Sequence, residues 1–160
     1  MTAQIANGGY KIYPKIVLNN DQQYLDKYKP LFKNSKNIKL IQKAMFSSTN
    51  EVRGTSYKSR IDDPKYQFAG KTGTAQVKRI TEKDRELDLK TFEIPYEERD
   101  HALYVAFGPY KNPRYATSII IEHGGSGGTT AAPIAKKLFK LIIDRHKLRQ
   151  SVKEKKHWDI

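Results

Sequence analysis

The chain of 160 residues has no cysteine, which excludes disulfides and thiolate metal sites and says nothing about compartment. It has no apolar run approaching the roughly 20 residues that cross a bilayer; the nearest is Ile119-Ile120-Ile121. Its first residues, Met1-Thr2-Ala3-Gln4-Ile5-Ala6, carry neither a basic segment nor an apolar stretch. No signal peptide is expected from them, and a chain expressed alone is expected to be cytoplasmic. Negative charge is scarce: 17 Asp and Glu stand against 30 Lys and Arg, for a net charge of +13. Such a balance favours polyanionic surroundings, whether nucleic acid, acidic lipid headgroups or wall polymers. The basic residues thicken at Lys136-Lys137, Lys140, Arg145, Lys147, Arg149 and Lys153, where a solvated helix face is the plainer reading.

The length allows one domain with a real core, and a mean hydropathy of −0.74 places it at the polar end of globular chains. The stretch around which the rest is arranged is Phe68-Ala69-Gly70-Lys71-Thr72-Gly73-Thr74-Ala75-Gln76-Val77. Alternating apolar and small residues predict a strand over 67–77, presenting a cation and two hydroxyls on an open face. Gly73 lets a ligand approach the backbone. An ammonium supplies charge to a bound carboxylate, and neighbouring hydroxyls supply direction.

Around that strand the pattern is mixed α/β. A strand or extended pair is expected over 10–18, broken at Pro14, with a turn at Asn19-Asn20-Asp21. Asn37 is expected to cap a helix over 38–47, with Met45 and Phe46 in the core. Residues 79–100 read as a charged connection pinned by Leu87, Leu89 and Phe92, and a small hairpin is expected there. Residues 101–107 and 115–122 read as an antiparallel pair joined through Gly108-Pro109 and Asn112-Pro113. After a glycine turn over 124–128, Thr129 or Thr130 is expected to cap a last helix whose apolar face is Ile134, Leu138, Leu141 and Ile142. Residues 1–148 are expected to form the domain, and 149–160 a basic tail, frayed except where its Trp158 could dock.

The Lys71-Thr72-Gly73 triplet resembles the third signature of the penicillin-recognising serine transpeptidases. The longer AGKTGTAQV form resembles the class B penicillin-binding proteins. Three further matches follow in the same order: Ala6-Asn7-Gly8-Gly9, then His101-Ala102-Leu103-Tyr104-Val105-Ala106-Phe107-Gly108-Pro109, then Glu122-His123-Gly124-Gly125-Ser126-Gly127-Gly128 with Ala131-Ala132-Pro133-Ile134-Ala135. The last is most similar to the elongation-specific penicillin-binding protein 2 group. The resemblance implies a partial penicillin-binding transpeptidase (β-lactamase-like) fold of the α+β kind. The three strands would be consecutive members of a five-stranded antiparallel sheet, backed by the C-terminal helix, and strand 115–122 would have an open edge. It also implies that Lys71 is catalytic, that Thr72, Gly73 and Thr74 bind substrate, and that the Thr74 backbone N–H serves an oxyanion hole. The implied ligands are the D-Ala-D-Ala stem peptide and β-lactams. A membrane-embedded glycan polymerase is the implied partner, and peptidoglycan cross-linking at the outer face of the membrane is the implied activity.

The same comparison exposes a gap. Nucleophile and base in that family come from Ser-x-x-Lys on a helix. None of the eight serines has lysine three residues later. Ser56-Tyr57-Lys58 and Ser151-Val152-Lys153 are one residue short. Ser48-Thr49-Asn50 has the form of the second signature but lies after Asn7-Gly8-Gly9 instead of before it, and reads as a polar helix end. The nucleophile-bearing helical part is therefore expected to be absent. This leaves a chain inactive alone, or a non-catalytic remnant or split half that acts through a partner chain. Other classes fit less well. A Walker A motif needs glycine where Lys65 stands and a helix after Thr72. A nucleic-acid module has charge here but no recognisable fold motif. His101 and His123 flank strands without a carboxylate partner in sequence, which favours structural roles, and no metal or other cofactor is expected.

Overall fold

The computed structural model describes residues 1–14, 16, 29–79, 82–87 and 89–155, with side chains at 83–85, 147 and 149–155 left aside. A short helix α1 (Thr2–Ala6) leads into a turn made by Asn7, whose Oδ1 accepts from the N–H groups of Gly9 and Tyr10. Gly8 and Gly9 both sit at φ near +90°, where a side chain is strained. Tyr10 bridges to Pro30; most of the strand expected over 10–18, and the turn at 19–21, lie outside the described residues.

Helix α2 runs Ser35–Asn50, longer at both ends than its apolar spacing indicates. Its cap is Asn34, not Asn37: the Asn34 carboxamide accepts from Lys36 N–H at 2.9 Å. Asn37 instead closes the first turn through its own N–H to Asn34 O. Ile38, Met45 and Thr49 form the buried side of α2. Asn50 ends it, donating to Phe46 O and, across to the sheet, to Phe68 O at 2.9 Å.

Strands β1 (Ala69–Ala75), β2 (His101–Gly108) and β3 (Tyr115–Ile121) make one antiparallel sheet in the order β1-β2-β3. Thr72 lies opposite Tyr104, and Tyr104 opposite Ile119. Among the described residues β3 pairs with β2 alone, so its outer edge and the outer edge of β1 carry no neighbouring strand. Among the described residues, 79–100 hold a short helix α3 (Glu82–Leu87) and a 3-10 turn (Tyr96–Glu98), and no hairpin. Leu87, Leu89 and Phe92 do not pin it; Phe92 is 77% exposed. Polar ties do so instead: Asp100 accepts from Val77 N–H on its carboxylate and from Gly125 N–H on its carbonyl, and Arg99 donates to Ile94 O. A segment this charged has too little apolar surface to be held otherwise.

A π turn (Gly127–Ala131) runs directly into α4 (Ala132–Lys155), which continues past the boundary expected at 148. Neither threonine caps it. Thr129 and Thr130 send their hydroxyls back to the carbonyls of Ser126 and Gly124. Nor is the buried face the expected one. Ala132, Ala135, Phe139 and Ile143 face the sheet, while Ile134 and Leu141 are 41% and 65% exposed. The reason is distance. Alanines let the helix axis settle close to β2, and Phe139 then stacks on Phe68 with ring centroids 4.9 Å apart. The larger aliphatics are displaced to the flank.

Candidate functional site

The site is built on the free edge of β1, and its foundation is a buried hydroxyl cluster. Tyr104 is fully buried on β2. Its phenol crosses over Gly70 to meet Thr49 Oγ1 at 2.9 Å and Ser56 Oγ at 3.0 Å. A Cβ on Gly70 would lie 2.2 Å from the Tyr104 oxygen, so this crossing requires glycine. Ser56 in turn donates to Ser48 O. The end of α2 and the loop after it are thus tied to the middle strand through one phenol. Burial pushes the Tyr104 pKa above its ordinary value of 10.0, against the hydrogen bonds shared with Ser56 and Thr49, which lower it.

The four expected site residues follow on β1, and the alternation of a strand divides them. Lys71 and Gly73 belong to the side of Ala69 and Val105; Thr72 and Thr74 belong to the side of Gly70 and Tyr104. The cation and the hydroxyls therefore do not share one open face. They meet because β1 is an edge. The Lys71 ammonium wraps round it to donate to Thr72 O at 2.7 Å and Thr72 Oγ1 at 3.4 Å. Lys71 and Thr74 are exposed, and Thr72 and Gly73 half-buried. Thr72 is in turn linked to Thr55 (Oγ1 to Oγ1, 3.2 Å), and Thr55 to Ser48 Oγ at 3.2 Å.

The glycine turn braces this strand from behind. A Cβ on Gly127 would lie 2.2 Å from Leu103 O and 2.7 Å from Gly73 O, so only a bare backbone fits against the strand pair there. On the other side opens a cavity of about 590 Å³. Met1, Ile5, Ile41, Met45 and Val105 supply its apolar wall; Ser48, Glu51, Arg53, Thr55 and Lys71 supply its polar rim. With Lys71 and Arg53 outweighing the single Glu51 carboxylate, and with hydroxyls at Ser48 and Thr55, the hollow suits an anionic ligand with a small apolar body.

The histidines sit at the far end of the sheet. His101 Nδ1 accepts from His123 N–H at 3.0 Å, and His123 Nδ1 donates to Arg99 O at 3.1 Å. These contacts hold His123 at φ +54° and close the strand end, which is a structural task. Among the described residues no three His, Asp or Glu side chains gather as metal ligands.

Thr55, Ser48 and Tyr104 were not singled out as site residues from sequence. Tyr104 carried a signal: a tyrosine at an inward position of an apolar strand needs a partner for its hydroxyl. Thr55 carried none beyond its place after Gly54, since its contact with Thr72 spans 17 residues.

Residues 1–140 match the family described as the penicillin binding protein transpeptidase domain. The chain belongs to that family. Within it the chain is 43% identical over 105 residues to the peptidoglycan D,D-transpeptidase MrdA of Salmonella typhimurium, and 34% identical over 104 residues to that of Haemophilus influenzae. These alignments take in 66% and 65% of this chain but only 16% and 15% of the relatives. Among solved structures, a penicillin-binding protein PBP2 in complex with MreC from Helicobacter pylori is similar at a TM-score of 0.67 and 30% identity, covering 89% of this chain and 23% of that one. PBP2 of Pseudomonas aeruginosa in complex with WCK 5153 gives 0.63 and 28%, covering 88% and 28%. The PBP2-like character read from the motifs thus holds, as does the α+β transpeptidase fold with its three-stranded antiparallel sheet and C-terminal helix.

Proposed function

We propose that this transpeptidase chain supplies the carboxylate-binding strand of a peptidoglycan-cross-linking D,D-transpeptidase of the serine type. The observation that carries this is the meeting of the Lys71 ammonium and the Thr72 hydroxyl at a free strand edge beside a cavity. A carboxylate arriving there replaces the Thr72 carbonyl as the acceptor for Lys71 and gains a charge-assisted hydrogen bond. Thr72 and Thr74 add hydroxyl donors, and Gly73 keeps the backbone accessible on the Lys71 side. An edge strand also leaves alternate backbone N–H groups outside the ladder, which suits an oxyanion hole. The substrates are the D-Ala-D-Ala end of a stem peptide and, as its mimics, β-lactams. Lys71 acts on acyl transfer by placing positive charge near the reacting groups.

The chain has no Ser-x-x-Lys, so the nucleophile must come from elsewhere. Alone it binds and does not acylate. The same fact favours a second reading: a split half that works through a partner chain, or a remnant that does nothing. In an assembled enzyme a membrane glycan polymerase is the fitting partner, since cross-linking acts on freshly made strands. Among the described residues no helix is long and apolar enough to cross a membrane.

The test is made on cells. A membrane fraction is treated with labelled penicillin and probed with an antibody raised against residues 151–160. One band marked by both, well above 18.4 kDa, shows a working transpeptidase that includes this strand. An unlabelled 18.4 kDa species on its own favours the split half or remnant.

A further inference from the structure

We infer that Thr55 is a positioning residue: it holds the Thr72 side chain in one χ1 rotamer and thereby fixes the direction in which its hydroxyl points its proton. The inference rests on the carboxylate-binding reading above and names the group that prepares that site. A hydroxyl has one proton to donate and two lone pairs to accept with. The Thr72 oxygen already accepts from Lys71, because an ammonium only donates. Its next polar neighbour is Thr55 Oγ1 at 3.2 Å, and beyond that lies Ser48 Oγ at 3.2 Å. Two directions of donation are open along this row. If Thr72 donates to Thr55 and Thr55 to Ser48, the Thr72 proton is spent inside the protein. If Ser48 donates to Thr55 and Thr55 to Thr72, both Thr72 lone pairs are filled and its single proton faces outward. An arriving carboxylate selects the second direction, and the row delivers a donor already aimed.

The scaffold holds Thr55 where this works. Its carbonyl is packed against Gly128, whose added Cβ would fall 2.5 Å from that oxygen. Ser56, the next residue, is anchored in the buried cluster under Tyr104. The glycine turn and the phenol thus reach the candidate site through one threonine. Thr55 itself is exposed, so replacing it leaves the core intact.

The experiment compares the wild-type chain, T55V and T55S by NMR. T55V keeps the shape and loses the hydroxyl; T55S keeps the hydroxyl and loses the methyl. Three-bond couplings to Thr72 Cγ2 report its χ1 rotamer without any ligand. One rotamer is expected in wild type and T55S, and averaged couplings in T55V. Titration with N-acetyl-D-Ala-D-Ala, read at the amides of residues 71–74, should give about fivefold weaker binding for T55V and near wild-type binding for T55S. A single Thr72 rotamer in T55V, or an undiminished affinity, overturns the inference. If the wild-type chain shows no shifts at 71–74, the carboxylate reading fails, while the couplings still decide the role of Thr55.

Discussion

The two faces of the sheet are finished to different degrees. Under α4 ten buried residues form one continuous core, from Ile61 and Phe68 through Tyr104 to Phe139 and Ile143. Under α1 and α2 the cluster on the sheet is smaller: Met45, Ala69 and Phe107 are buried in it, with Ile5, Ala6, Phe46, Val105 and Tyr110 packed partly against them. The first face is closed by side chains this chain supplies. The second ends in the cavity beside Lys71, whose wall includes exposed Met1 and Ile41. The closed face therefore holds the fold, and the open face is free to hold a ligand. Mutations should separate the two.

The largest loss is expected on the closed face. Phe139→Ala removes a ring stacked on Phe68 and leaves a cavity between helix and sheet, at a cost of about 3–5 kcal/mol. Thermal melting of the chain should fall by roughly 10 °C. A drop of only a degree or two would mean that the face is not close-packed. Gly70→Ala comes next, at about 1–3 kcal/mol, because its Cβ is driven into the Tyr104 phenol. Adding Tyr104→Phe should not rescue it, since the ring carbon Cζ would still lie 2.4 Å away. Full rescue in the double variant would show that the oxygen alone sets the requirement.

How far these faces were legible in sequence follows from the range of the interactions. The strands were legible, because period-two alternation and the glycine and proline turns are local. The expected order and antiparallel sense of β1, β2 and β3 stand. The face of α4 was not legible: Ile134 and Leu141 outweigh Ala132 and Ala135 in any count of hydrophobicity, yet close approach to β2 selects the small residues. The cap of α2 was misplaced by three because Asn34 and Asn37 offer the same chemistry one turn apart. At the candidate site the residue types of Lys71 and Thr72 were legible, and their convergence was not. It depends on β1 lying at an edge, which no window on residues 67–77 contains. The cluster of Thr49, Ser56 and Tyr104 joins three segments and left only the buried tyrosine as a clue.

The hydroxyl cluster joins the two faces and should give an intermediate effect. Tyr104→Phe at neutral pH is expected to cost about 1 kcal/mol, because Thr49 and Ser56 keep backbone acceptors at Met45 and Ser48. Its clearer signature is in alkali. Burial raises the folded-state Tyr104 pKa above the unfolded value near 10, so the neutral phenol is the form that folding prefers. Its contribution is complete below pH 10 and is lost as pH rises through the folded pKa. Urea midpoints measured from pH 9 to 11.5 should fall more steeply for wild type than for Tyr104→Phe. Parallel slopes would place the phenol in contact with water and dissolve the link between the faces.

The smallest effect is expected on the open face, and it decides what that face is for. Ile41 is 39% exposed on the rim of the cavity, so Ile41→Ala removes few contacts and should change stability by no more than about 0.5 kcal/mol. The same change shortens the apolar wall of the cavity that Lys71 also lines. If the cavity receives the apolar body of a carboxylate ligand, binding of N-acetyl-D-Ala-D-Ala should weaken by a few-fold while the melting temperature stays put. A loss of stability comparable to Phe139→Ala would show that α1 and α2 close over Ile41 in solution, and the contrast between the faces would fall. Unchanged binding with unchanged stability would confine the ligand to the β1 edge itself, where Lys71 and Thr72 meet.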